Sequence, residues 1–176
     1  GLVCGAAGRL WTGAGFPRDV NAILDECARL AAPSAQRTLD GLCSSNASTA
    51  GEAAYLRCGL RGVRGEAADG FPAVRNIALP ALEEALSNGK TLEQAGAHVL
   101  LRLIAAVNDT NLIARGGLNG QQWAAMRATQ LLAHEQGFDH NALMRFDTEM
   151  IGKNLSPGGC ADLLALTYLL HAVQAR

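Results

Sequence analysis

The sequence predicts an all-α fold, and three observations carry that prediction. No segment sustains the apolar–polar alternation of a strand, and no Asn-Gly pair joins β-branched runs; Asn119-Gly120 lies between helical segments. Two capping boxes, Thr49-x-x-Glu52 and Thr91-x-x-Gln94, each stand at the head of a helical segment. Apolar residues recur at helical spacing along most of the chain. With 176 residues, 49% hydrophobic and 18% charged, the chain has the size and composition of a single helical domain with its own core.

The elements follow in order. Residues 2–12 read as the tail of a helix that stops near Gly13. Pro17 opens the next, running to Pro33, with Val20, Ile23, Leu24, Cys27 and Leu30 on one face. A short helix is expected over 34–42. The Thr49 box opens a helix that stops at Gly59. Residues 59–72, GLRGVRGEAADGFP, combine glycines, a proline, arginines and carboxylates without an apolar period, so they read as a loop. The helix resumes after Pro72, breaks at Pro80 and ends near Gly89. The Thr91 box opens a helix in which Leu92, Val99, Leu103 and Val107 mark a buried stripe. DTNLIARGGLNG reads as a loop. Helices over about 120–136, 139–152 and 159–174 complete the chain. The last is apolar around so much of its circumference (Leu163, Leu164, Leu166, Leu169, Leu170, Val173) that it is expected to be central.

Composition narrows the function. A net charge of −1 gives no general support to a nucleic-acid or anionic-membrane surface. No run reaches the ~18 apolar residues of a membrane span. GLVCGAAGRL lacks the basic n-region of a signal peptide. Cys4, Cys27, Cys43, Cys58 and Cys160 form no CxxC pair, which fits reduced thiols in a cytoplasmic protein. Lys90 and Lys153 are the only lysines among 15 basic residues. Arginine's planar fork suits phosphate, and a GC-rich coding bias yields the same excess, so position must separate the two.

Three glycine-containing polar segments interrupt the helices: 59–75, 108–120 and 153–162. In the first, Arg61, Arg64 and Arg75 flank Glu66 and Asp69. It reads either as a surface loop held by its own ion pairs or as a phosphate cradle with a carboxylate for proton transfer. In the second, Asn108, Asp109 and Asn111 precede Arg115-Gly116-Gly117. Hard oxygen donors of this kind suit Mg²⁺, and Asn and Asp are equally at home in a helix-terminal turn. In the third, Ser156 can cap a helix with Pro157 at its first position. Alternatively, Gly158 and Gly159 leave outward-facing N–H groups that form an anion site. Asp162 opposes a bound phosphate there unless a metal bridges them. His98 and His171 read as core or edge residues, His134 and His140 as solvent-facing beside the Gly137 turn, and Trp11 and Trp123 as packing groups.

GEAAYLRCGLRGVRGEAADGFPAVR, VNDTNLIARGGLNG and KNLSPGGCADLLALTYLL together resemble the signature blocks of the triphosphoribosyl-dephospho-coenzyme A synthase family, in the same order and at similar spacing. The resemblance covers essentially the whole chain and implies that it corresponds to the C-terminal part of a longer enzyme. That family's N-terminal portion, with its NTH(K/R)GA block, is not in this sequence.

The activity implied is transfer of a triphosphoribosyl group from ATP to 3′-dephospho-CoA with release of adenine. The product is the precursor of the prosthetic group on the acyl carrier subunit of citrate lyase or malonate decarboxylase. Implied partners are ATP and 3′-dephospho-CoA, with the acyl carrier subunit or a downstream holo-transferase beyond them, and neither nucleic acid nor membrane. Within that resemblance Glu66 is the first candidate general base and Asp109 its rival. Asp109 and Asp162 would hold Mg²⁺. Arg61, Arg64, Arg75, Arg115, Gly116, Gly117, Ser156, Gly158 and Gly159 would bind phosphate or nucleotide. Cys160 stands where the family carries serine or cysteine, which argues against a nucleophilic role. Two other readings stay open. Asp-Thr-Asn is similar to the metal motif of helical ADP-ribose glycohydrolases, and a non-catalytic helical module could bind nucleotide or an acyl carrier.

Overall fold

A computed structural model describes residues 1–11, 17–134 and 138–175. Among them the chain forms α1 (Leu2–Arg9), α2 (Val20–Asp40), α3 (Ala50–Cys58), α4 (Gly62–Ala68), a π-helical turn (Val74–Ala78), α5 (Leu79–Ser87), α6 (Leu92–Ala106), α7 (Thr110–Leu132), α8 (His140–Gly152) and α9 (Gly158–Gln174). There is no strand among the described residues, as the periodicity predicts.

Both capping boxes form. Thr49 accepts the Glu52 N–H while Glu52 accepts the Thr49 N–H, and Thr91 and Gln94 make the same exchange. Gly59 adopts φ 69° and ends α3. The expected ends near Gly13 and around Gly137 lie outside the described residues.

Several expected boundaries differ, each for a physical reason. Asp19, not Pro17, starts α2: its carboxylate accepts the Ala22 N–H at 3.1 Å. α2 then runs through Pro33 to Asp40 as one helix. The proline sits on an exposed face, where water can replace the missing N–H. Residues 59–72 are not a loop but hold α4, which packs on α2. α4 stops at Gly70 (φ 75°), where the Phe71 N–H reaches the Glu66 carbonyl at 2.6 Å and the Gly70 N–H reaches that of Ala67 at 3.3 Å. Pro80 does not break the helix. The π turn directly before it takes up the mismatch, with the Leu79 N–H bonded to the Val74 carbonyl five residues back.

DTNLIARGGLNG is the start of α7, bent at Gly117 (φ 64°, ψ −169°). Leu112 and Ile113, both buried, hold it against the core. A Cβ at Gly116 or Gly120 would stand 2.4 or 2.9 Å from Leu155 Cδ2, so these glycines make room for a buried leucine.

One apolar cluster runs through the molecule, with Ile23, Leu24, Leu82, Val99, Leu103, Ile104, Leu112 and Leu170 fully buried. α6 touches α5, α7, α9 and the π turn, and so shares the centre with α9. α9 is less enclosed than expected, since Leu169 remains 46% exposed. Leu92, assigned to the buried stripe of α6, is also exposed. Trp123 packs beside Phe146 and under the Lys153 ammonium, whereas Trp11 is 58% exposed. The five cysteines form no disulfide, and no helix among the described residues is long and apolar enough to cross a membrane.

Candidate functional site

Residues from all three polar segments line one cleft of about 550 Å³. α4 contributes Arg61, Glu66 and Asp69 from its body and ends, and the π turn contributes Asn76 and Ile77. The α6–α7 junction brings Asn108, Asp109, Thr110 and Asn111, and α9 brings Gly159 and Asp162. The charged lining is four carboxylates (Glu66, Asp69, Asp109, Asp162) and one guanidinium (Arg61). Arg61 is itself paired with Asp69. The cleft is therefore strongly acidic.

Asp109 is the pivot of this site. It is 2% exposed and caps α7, with Oδ1 accepting the Asn111 N–H at 2.8 Å and the Leu112 N–H at 3.4 Å. Its Oδ2 accepts the Cys160 N–H at 2.8 Å, in the first turn of α9. Neither Ser156 nor Pro157 supplies a side-chain cap to that helix; Asp109 does so from across the fold. Gly159 is needed for the approach, because a Cβ there would lie 3.1–3.2 Å from the carboxylate atoms. A Cβ at Gly158 would meet Asn111 Nδ2 at 2.6 Å. The Gly-Gly pair thus cradles a charged group, and that group is the protein's own aspartate. Gln121, which the sequence did not single out, pins the same turn: it accepts the Asp109 N–H at 3.0 Å and donates to the Val107 carbonyl at 2.9 Å.

Glu66 lines the cleft half-buried and accepts the Ala73 N–H at 3.1 Å. Burial raises its carboxyl above the usual glutamate range; the Ala73 N–H opposes that rise, and the nearby Asp69 adds to it. Asp162 is exposed and makes no hydrogen bond or ion pair to a described residue. Burial, with the adjacent Asp109, pushes the Cys160 thiol far up, which removes its thiolate and with it a nucleophilic role.

Other predicted residues lie outside the lining. Arg64 donates to Glu52 at 2.9 Å, Arg75 pairs with Asp25 on α2, and Arg115 donates to Asn154 at 3.2 Å. Gly116, Gly117, Ser156 and Gly158 are also outside it. These long-range pairings are invisible to a local reading of arginine spacing. Asn76 was missed as well; the signal for it was Pro80, which cannot return an N–H to the Asn76 carbonyl and so favours the irregular turn.

A second cavity of about 820 Å³ lies toward the other end of α6, lined by His98, His134 and His140 among others. His98 accepts an Arg102 N–H at 2.9 Å and is held below its usual pKa by burial, with the nearby Arg102 acting in the same direction. Among the described residues no three His, Cys, Asp or Glu side chains are grouped to hold one metal ion.

Fold and cleft together define a helical protein with a ligand-sized, oxygen-rich acidic site built at helix ends. Residues 1–176 match the family described as ATP:dephospho-CoA triphosphoribosyl transferase, and the chain belongs to that family. It is 44% identical to a 2-(5″-triphosphoribosyl)-3′-dephosphocoenzyme-A synthase of Pectobacterium atrosepticum, over 97% of this chain and 55% of that protein. The synthase of the same name from Klebsiella pneumoniae is 39% identical, over 99% of this chain and 58% of its own length. A probable synthase of Vibrio cholerae is 49% identical over 70% of this chain and 40% of its own. The chain thus spans about half the length of the curated relatives it matches. No solved structure matches it.

Proposed function

We propose that this chain carries the nucleotide cleft of an enzyme that transfers the triphosphoribosyl group of ATP to 3′-dephospho-CoA. The observation that supports this most directly is the meeting of Glu66, Asp109 and Asp162 in one cleft within a chain of this family.

The residues suit the reaction. The 2′-oxygen of dephospho-CoA bonds to C1 of the ATP ribose as the C1–N9 bond to adenine breaks. The hydroxyl proton passes to a carboxylate, and adenine leaves with the bonding pair and takes up a proton. Positive charge builds on the ribose as the base departs, as in other glycosidic cleavages, so an adjacent carboxylate lowers the barrier. Glu66 fits the proton-accepting role: it lies in the cleft and its raised carboxyl moves closer to neutrality. Asp109 fits a positioning role better, because its two oxygens already accept three backbone N–H groups.

A triphosphate among four carboxylates needs a cation, and the donor set fits Mg²⁺. That ion takes one or two protein carboxylates together with phosphate oxygens and water. Asp162 would hold it, with the remaining capacity of Asp109 and the amide oxygens of Asn108 and Asn111 nearby. Bound there, it would neutralise the phosphates. Arg61 would contact them on leaving Asp69. The product would serve the acyl carrier subunit of a citrate lyase or malonate decarboxylase.

The test is chromatographic detection of adenine from ATP with and without dephospho-CoA, using this chain and a version extended to the length of its relatives. Adenine formed only when dephospho-CoA is present supports the transfer. Adenine released equally without dephospho-CoA points to a glycohydrolase, and ATP binding without adenine release by either version points to a binding module.

A further inference from the structure

Several uncharged residues of the cleft lining have no part in the chemistry above. On the π turn, Asn76 and Ile77 face the cleft, and Leu60, Val63 and Pro72 continue the same lining. Val63 is 53% exposed, an apolar side chain left open toward the cavity. The Asn76 side chain is exposed and makes no hydrogen bond to a described residue. Asn108 is equally unpaired, but it adjoins Asp109 on the acidic side of the site.

The π turn itself is informative. π-Helical turns are rare and occur frequently at functional sites. Here Pro80 removes the N–H that an α-helix would direct at the Asn76 carbonyl, which commits this stretch to an irregular turn. The position held there carries a carboxamide beside apolar neighbours.

The geometry points to Asn76 as the residue that reads the purine base of the bound triphosphate. This rests on the nucleotide reading given above. A carboxamide presents a donor and an acceptor side by side. Adenine presents the complementary pair, its 6-amino N–H beside a ring-nitrogen acceptor. Leu60, Val63, Pro72 and Ile77 supply the apolar surface that covers a ring face. The charged lining groups suit the triphosphate, and these uncharged ones suit the base.

Calorimetric binding of ATP and of purine riboside 5′-triphosphate, which lacks only the 6-amino group, tests this in the presence of Mg²⁺. The unaltered chain is expected to favour ATP by roughly tenfold or more. Asn76→Ala is expected to bring the two within about twofold, with purine riboside 5′-triphosphate still bound. Circular dichroism checks that this exposed substitution leaves the helices intact. Equal binding of both triphosphates by the unaltered chain, or an unchanged ATP preference in Asn76→Ala, overturns the assignment of Asn76 and leaves the nucleotide reading standing. Binding of neither triphosphate by the unaltered chain overturns both.

Discussion

Asp109 Oδ2 accepts the backbone N–H of Cys160 at 2.8 Å, across 51 residues of chain. The same carboxylate caps α7, so one buried side chain ties two helix N-termini together. Asp109→Ala is expected to lower the unfolding free energy by about 2–4 kcal/mol, because two caps are lost and buried donors are left unpaired. Urea unfolding with an unchanged m-value measures this. Gly159→Ala should also destabilise, since its Cβ would press on a carboxylate that three hydrogen bonds hold in place. The double variant should lose less than the sum of the two, because both act on the same contact.

Glu66 predicts a pH dependence of the less common sign for a carboxylate. Its folded-state pKa is raised, so the folded protein holds this proton more tightly than the unfolded chain. The stability it contributes is complete below the ordinary glutamate pKa of about 4.3 and declines as pH rises through the raised value. Thermal melts of Glu66→Gln across this range should show a flatter profile, since glutamine keeps an acceptor for the Ala73 N–H and does not ionise. In the full-length enzyme the same substitution should reduce turnover by at least about a hundredfold. Near-normal turnover would remove Glu66 from proton transfer.

Glu52 works in the opposite direction. The Ser48 N–H, the Arg64 guanidinium and the Thr49 N–H pull its carboxyl down to about 2. Its contribution is complete above the ordinary glutamate pKa and is lost as pH falls from there toward about 2. Glu52→Gln should therefore flatten the acid side of the stability profile between about pH 4.3 and 2, and Arg64→Ala should weaken that limb without changing ATP affinity.

The capping boxes, the helical fold and the three polar segments were legible in the sequence, because each has a local pattern; the cleft that the segments share is made by the fold. The helices at 62–68 and 110–116 were not, because glycine content there outweighs periodicity. Those glycines serve tertiary needs: Gly65 lies under the Arg61 side chain, Gly116 over Leu155. The roles of the arginines were also hidden. Arg64, Arg75 and Arg115 find partners 12, 50 and 39 residues away, and only folding brings those partners close.

The arginines therefore divide by position. Arg61, in the cleft and held among the described residues only by a half-exposed pair with Asp69, can exchange that carboxylate for phosphate at little cost. Arg61→Ala is expected to weaken MgATP binding about tenfold. Arg75→Ala and Arg115→Ala should change it by less than about twofold, since both side chains lie outside the lining. Calorimetry on the three variants decides between this and a cradle built from all of them.

Hydrogen–deuterium exchange of the chain with and without MgATP tests the shared cleft most directly. The account predicts that residues 59–77, 106–111 and 158–163 gain protection together, and that the surroundings of His98, His134 and His140 do not. Protection confined to the second cavity, or to one of the three segments alone, would contradict it.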